Sequence, residues 1–108
     1  MKHYSGRREG YAVIVTVEGH RLNPRLDLWN HSPTGFEWGY CGSGPAQLAL
    51  GILADHYGNA ERALTWYQSF KWAVIAELPH REWILTSEDI DQALQSLRES
   101  EPVSEAVA

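Results

Sequence analysis

Apolar and polar positions change rhythm along the chain. Tyr11, Val13, Val15 and Val17 recur at every second residue, the period at which successive side chains of a strand return to the same face, and branched valines suit a pleated surface. This segment can pair back onto residues 4–8 across Glu9-Gly10. It can also pair forward with a short third strand over residues 20–22, across a tight turn at Glu18-Gly19 in which Gly19 is free to take positive φ. The first quarter of the chain therefore predicts an antiparallel meander. Over residues 23–35 the alternation is lost. Pro24, Asn30, Ser32, Pro33, Thr34 and Gly35 form turns, while Leu26, Leu28 and Trp29 are apolar enough to pin the loop to a core. Residues 36–40 read as one more short strand. In "CGSGPAQ", which follows, Ser43 or Gly44 can cap a helix and Pro45 suits its first turn.

From there the period lengthens to that of a helix. Residues 45–57 are apolar on nearly all sides (Ala46, Leu48, Ala49, Leu50, Ile52, Leu53), which places this helix in the middle of its domain. Gly58 ends it and Asn59 caps the next. The second helix, over residues 60–78, carries Ala60, Ala63, Leu64, Tyr67, Phe70, Val74 and Leu78 as one stripe, with Glu61, Arg62, Gln68 and Lys71 toward water. The two-residue link makes the pair an αα-hairpin. Pro79 stops the second helix, "EWILT" returns to an extended pattern, and Thr86 with Asp89 forms a capping box. That box opens a last helix in which Ile90, Ala93, Leu94 and Leu97 are the buried stripe. The predicted fold is α+β: a small antiparallel N-terminal sheet packed against an αα-hairpin and a C-terminal helix, in one domain over residues 1–100. Residues 101–108 have little to bury and are expected to be a disordered acidic tail.

Composition sharpens this picture. A chain of 108 residues that is 44 % hydrophobic can fill a single core. No apolar run approaches the roughly 20 residues that span a bilayer, and "MKHYSGRREG" lacks the apolar segment of a signal peptide, so a soluble, cytoplasmic protein without a membrane partner is expected. Cys41 is the single cysteine, which excludes an internal disulfide and a cysteine zinc cluster. The net charge of −5 is unevenly spread. Lys2, Arg7, Arg8, Arg21 and Arg25 make the start basic, whereas Glu82, Glu88, Asp89, Asp91, Glu99, Glu101 and Glu105 face only Arg98 near the end. Such an end repels nucleic acid, so direct binding to it is not expected. It suits a basic partner, although a solvated helix face has the same composition.

Candidate chemistry concentrates in "FEWGYCGSGPAQLALGIL". A glycine-rich turn before a helix presents backbone N–H groups beside the positive end of the helix dipole, so Gly42, Ser43, Gly44 and Gln47 form a candidate anion site. It lacks the lysine of a P-loop and the full dinucleotide fingerprint, and Pro45 removes one donor, so a plain, well-capped strand-to-helix corner is the preferred account. Cys41 ahead of the helix and His31 upstream, oriented by Asn30 or Glu37, are too sparse a set for a thiol enzyme. A buried, unreactive cysteine is the commoner case. The five histidines show no metal-ligand spacing. We assign no catalytic residue, metal or cofactor, and the expected class is a non-enzymatic one. Among the five tryptophans, Trp66 and Trp72 fall beside the main stripe of the second helix. They are either interface anchors or fillers of the core.

The segments "LNPRLDLWNHSP", "NHSPTGFEWGYCGSGPAQLALGILADHYG" and "ALTWYQSFKWAVIAELP" resemble a family of small uncharacterised bacterial proteins carried by phages, plasmids and other mobile elements. The likeness runs from about Tyr4 to Ile90, and no site residue comes with it. What the resemblance implies is a context in which small acidic proteins bind and block host defence machinery, as anti-CRISPR proteins do. The expected function is then an inhibitor that occludes a host nucleic-acid-processing complex, such as a CRISPR effector. Its contact surface is either the acidic residues Glu88, Asp89 and Asp91 or an aromatic patch around Trp66 and Trp72. The alternative is a small-ligand or nucleotide-binding protein that uses the "YCGSGPAQ" corner as an anion site.

Overall fold

The computed structural model describes residues 1–100; the expected disordered tail lies outside the described residues. The elements in chain order are β1 (His3–Glu9), β2 (Ala12–Val17), β3 (His20–Arg21), α1 (Ser43–Tyr57), α2 (Ala60–Ala73), β4 (Glu82–Thr86) and α3 (Ser87–Ser100). They form an α+β fold in which an antiparallel sheet of order β3-β2-β1-β4 packs against the α1–α2 hairpin and α3.

The meander forms, but its first turn is Gly10-Tyr11 and not Glu9-Gly10, so Tyr4 lies opposite Val17 and Glu9 opposite Ala12. Its second turn carries positive φ at both central residues, Glu18 (49°) and Gly19 (81°), the backbone twist that joins neighbouring strands by two residues. Tyr4, Gly6, Val15 and Trp83 turn inward, whereas Ser5, Arg7, Ile14, Thr16 and Ile84 lie on the opposite face. The floor at Gly6 is tight, because a Cβ there would stand 2.5 Å from the Trp83 ring. Trp83 in turn meets Trp38 edge to face at 5.6 Å.

The strand expected over residues 36–40 does not form. "EWILT" fills the vacant place beside β1, pairing His3 with Thr86 and Arg7 with Glu82. The 36–40 segment is turned away by positive φ at Gly35 (137°) and Gly39 (87°). It packs under the α2–β4 connection, where the Trp38 indole N–H donates to Pro79 O and His80 O, both at 2.9 Å. Gly39 N–H donates to Ile75 O at 3.0 Å.

The helix α1 begins two residues before the expected Pro45. Its N-cap is Gly42, without a side-chain cap, so Ser43 and Gly44 are first-turn residues rather than caps. Every residue from Gly44 to Ala54 is buried, as a helix apolar all round requires. Gly51 admits the loop before it: a Cβ there would stand 3.0 Å from Asn23 O. Gly58, at φ 62°, closes α1, and Asn59 Oδ1 accepts from Arg62 N–H at 3.0 Å to start α2. The helix α2 ends at Ala73, and Ile75–Glu77 tightens into a 3-10 turn, so the expected run to Leu78 is too long. The stripe is narrower as well. Ala63, Tyr67 and Phe70 are buried, but Leu64 is 37 % exposed. The capping box holds, since Asp89 N–H donates to Thr86 Oγ1 and Thr86 N–H to Asp89 Oδ2. Ile90 and Leu94 are buried below it.

Candidate functional site

Gln47 organises the surface that α1 and α2 present. It is fully buried in α1, and a side-chain amide there needs partners for two donors and two acceptor sites. Its Oε1 accepts from the N–H groups of His31 and Ser32 at 2.7 and 3.0 Å, while its Nε2 donates to Pro24 O and Trp29 O at 2.6 and 3.0 Å. The irregular loop over residues 23–35 is thus moulded around one side chain. The mould delivers His31 to α2, where its Nε2 shares a hydrogen bond of 2.7 Å with the Tyr67 hydroxyl. Burial lowers the pKa of His31, with Lys71 adding to the effect, so the ring is neutral at pH 7. Trp29 stacks on His31 with centroids 5.6 Å apart.

Trp29 remains 57 % exposed. From it, a stack runs through His31 to the edge of Tyr67; farther along α2, the Lys71 Nζ lies 5.2 Å from the Trp72 ring centroid. Trp72 is 64 % exposed, and Leu64 precedes it by two turns of the helix. Of the two tryptophans singled out by sequence, Trp72 is exposed on α2 beside Ser69, Ala73 and Leu97, while Trp66 is half-buried against the core. Trp29, His31 and Lys71 were not among the expected partner-binding residues. No short-range pattern links loop residues to a helix that follows much later in the chain; the one clue was a polar Gln47 in an otherwise apolar helix.

The acidic residues are differently engaged. Asp89 completes the capping box, and Asp91 Oδ1 lies 2.7 Å from His56 Nε2. Glu88 is exposed, and among the described residues no salt bridge includes it. Glu88 and Asp89 sit in the first turn of α3, where negative charge complements the helix dipole.

The glycine-rich corner opens into a groove of about 550 Å³ whose lining includes Tyr11, Ser32, Glu37, Tyr40, Ser43 and Gly44. Gly44 is buried against Glu37, since a Cβ there would stand 2.7 Å from Glu37 Cβ. The Glu37 carboxylate is gripped by Arg8, whose Nη1 and Nη2 donate to its two oxygens at 3.1 and 2.8 Å; this pairing, above all, holds its pKa below the usual value. Arg8 also lies over the Trp38 ring at 4.5 Å. The proposed anion set is therefore split. Gly42, Ser43 and Gly44 stand at the corner, beside a carboxylate already neutralised by Arg8, and the Gln47 amide is committed to the loop.

Cys41 is half-buried with a free thiol, and among the described residues no hydrogen bond joins it to His31. Among the described residues no group of three or more His, Cys, Asp or Glu side chains could hold a metal ion, and no helix is long and apolar enough to cross a membrane. The sequence model of a family of unknown function, DUF6166, matches residues 4–96. No curated protein and no solved structure matches the chain.

Proposed function

The chain belongs to the DUF6166 family, and we propose that it is a non-enzymatic binding protein whose contacts are made by Trp29 and Trp72. The observation that carries this reading is the exposure of two tryptophans, Trp29 on the loop held by Gln47 and Trp72 on α2, 57 % and 64 % accessible. Exposed tryptophan is typical of an interface anchor, because it buries much area for little lost rotamer freedom. Here the Gln47 latch and the His31–Tyr67 bond hold the loop before any partner arrives, which lowers the ordering cost of association. The resemblance to mobile-element proteins supplies the partner class: a host nucleic-acid-processing complex, such as a CRISPR effector, occluded through these tryptophans. The acidic start of α3 contributes steering, with Glu88 as its freest charge, since Asp89 and Asp91 also serve α3 and His56.

The test is a pull-down of the tagged full chain from a host lysate, followed by titration of the captured complex with variants. Trp29→Ala and Trp72→Ala should each weaken binding by about 2 kcal/mol with little salt dependence. Glu88→Lys should slow association at low salt alone. Unchanged affinity in both tryptophan variants would overturn the reading. A nucleotide co-purifying with the chain and displaced by Ser43→Trp would transfer the function to the corner groove.

A further inference from the structure

The groove at the corner before α1 is assembled from three separate stretches of chain: residues 11–13 at the β1–β2 turn, the loop at residues 32–37, and Tyr40, Ser43 and Gly44. Its volume of about 550 Å³ lies within the roughly 300–1,000 Å³ of small-molecule sites. Two tyrosines in its lining hold their rings in water, Tyr40 at 51 % exposure and Tyr11 fully exposed. Tyr40 is the better fixed of the two. Its ring lies over Gly42, where a Cβ would stand 2.8 Å from the ring edge, so the glycine makes room for an aromatic plate at the rim.

The polar groups of the lining narrow the ligand class. Among the described residues that line the groove there is no lysine, arginine or histidine, so an anion finds no counter-charge. Glu37 is already paired with Arg8 through both oxygens, so a cation gains little from it. An aliphatic ligand would strand the hydroxyls of Thr34, Tyr40 and Ser43 away from water. Ser32 Oγ is spent on Gly35 O at 2.7 Å; among the described residues no such bond engages those three hydroxyls. A carboxylate offers about four acceptor positions. Arg8 takes one on each oxygen of Glu37, and Trp38 N–H takes a second on Oε1 at 3.4 Å. Oε2 therefore keeps a position open, on a side chain that is 34 % exposed, and it calls for a donor from the ligand. A proline-rich segment, which also stacks on aromatic grooves, brings carbonyls but few donors.

What fits is a neutral ring with an apolar C–H face and hydroxyls around its edge. We propose that the groove binds a pyranose sugar, its C–H face against the Tyr40 ring with Tyr11 beside it, and its hydroxyls shared between Glu37 Oε2 and the side chains of Thr34 and Ser43. The face of a tyrosine ring is negative and attracts polarised C–H groups. A sugar hydroxyl both donates and accepts, so it can answer a carboxylate and a protein hydroxyl at once. The carboxylate makes the stronger, charge-assisted bond. This site shares no residue with Trp29 and Trp72 and does not depend on them.

The test is titration of the isotope-labelled full chain with methyl glucoside, methyl mannoside, methyl galactoside and N-acetylglucosamine, read from amide chemical shifts. At least one of these sugars should shift the Thr34, Ser43 and Gly44 amides saturably, with a Kd of about 1 mM. Tyr40→Ala should weaken that binding about tenfold and Tyr40→Phe only about twofold, since stacking outweighs the hydroxyl. Glu37→Gln, of the same shape, should weaken it about tenfold. Tyr11→Ala changes a side chain that lies wholly in water, so it tests the site even where the other variants lose stability, and it should weaken binding about threefold. Absence of saturable shifts with all of these sugars overturns the proposal, and so does a groove that takes adenosine or a proline-rich peptide in their place. Sugar binding unaffected by both Tyr40→Ala and Tyr11→Ala overturns it equally.

Discussion

Replacing Gln47 by methionine tests whether one side chain holds the loop that carries Trp29 and His31. The two residues are similar in volume, so Gln47→Met leaves no large cavity and isolates the loss of polar partners. Four bonds are removed, two to N–H groups and two to carbonyls. At a net of about 1 kcal/mol each, the expected loss is about 4 kcal/mol, and it grows where an orphaned group finds no water. A domain of this size has about 5–15 kcal/mol in total, so the variant should be folded but fragile. Urea unfolding followed by tryptophan fluorescence gives the loss, and hydrogen exchange at the His31 and Ser32 amides shows whether the loop opens before the rest. Gln47→Glu serves as the control. Its carboxylate would face two carbonyls, so burial and repulsion raise the folded-state pKa of the introduced group. That variant should be most stable below the unfolded carboxylate pKa near ~4.3 and lose stability as pH rises from there through the folded value. A loss below about 1 kcal/mol in Gln47→Met, with both amides still protected, would refute the latch.

Other variants probe the remaining packing. Gly6→Ala should cost about 1–3 kcal/mol in urea unfolding, because its Cβ would stand 2.5 Å from the Trp83 ring; an unchanged midpoint would mean that the ring moves aside freely. Leu50→Asp, at a fully buried position, should fail to fold, whereas Leu64→Asp, at a position 37 % exposed, should remain soluble and cooperative. Identical behaviour of the two would contradict the placement of α2. Glu37 has a folded pKa depressed chiefly by its hydrogen bonds to Arg8. Its contribution is present above the unfolded value near ~4.3 and is lost as pH falls through the lower folded value, so Glu37→Gln should flatten the acid limb of the stability profile.

How much of this was legible from sequence depends on the range of the interaction. The meander, the hairpin helices, the Asn59 cap and the Thr86–Asp89 box are written in neighbouring residues, and each is found. The false strand at residues 36–40 has strand-like side chains, but its neighbour in the sheet was decided by β4, far along the chain. The exposure of Leu64 follows from the angle at which α2 meets its partners, which a stripe of apolar spacing does not encode. The corner groove was legible as a glycine-rich turn. The Glu37 side chain that presses on Gly44 was not, because that contact depends on how the loop returns to the helix.

The pairing of β1 with β4 joins strands far apart in the sequence, and this orders events during synthesis. The strand β1 leaves the ribosome long before the strand that completes its ladder. Until β4 emerges, the N-terminal hairpin carries an open edge, and Gly6 lacks the Trp83 ring that lies against it. Long-range closure of this kind slows folding and prolongs exposure to aggregation. A nascent chain stalled before Arg81 would offer β1 to any passing strand. Chaperone demand should therefore persist until β4 has been made.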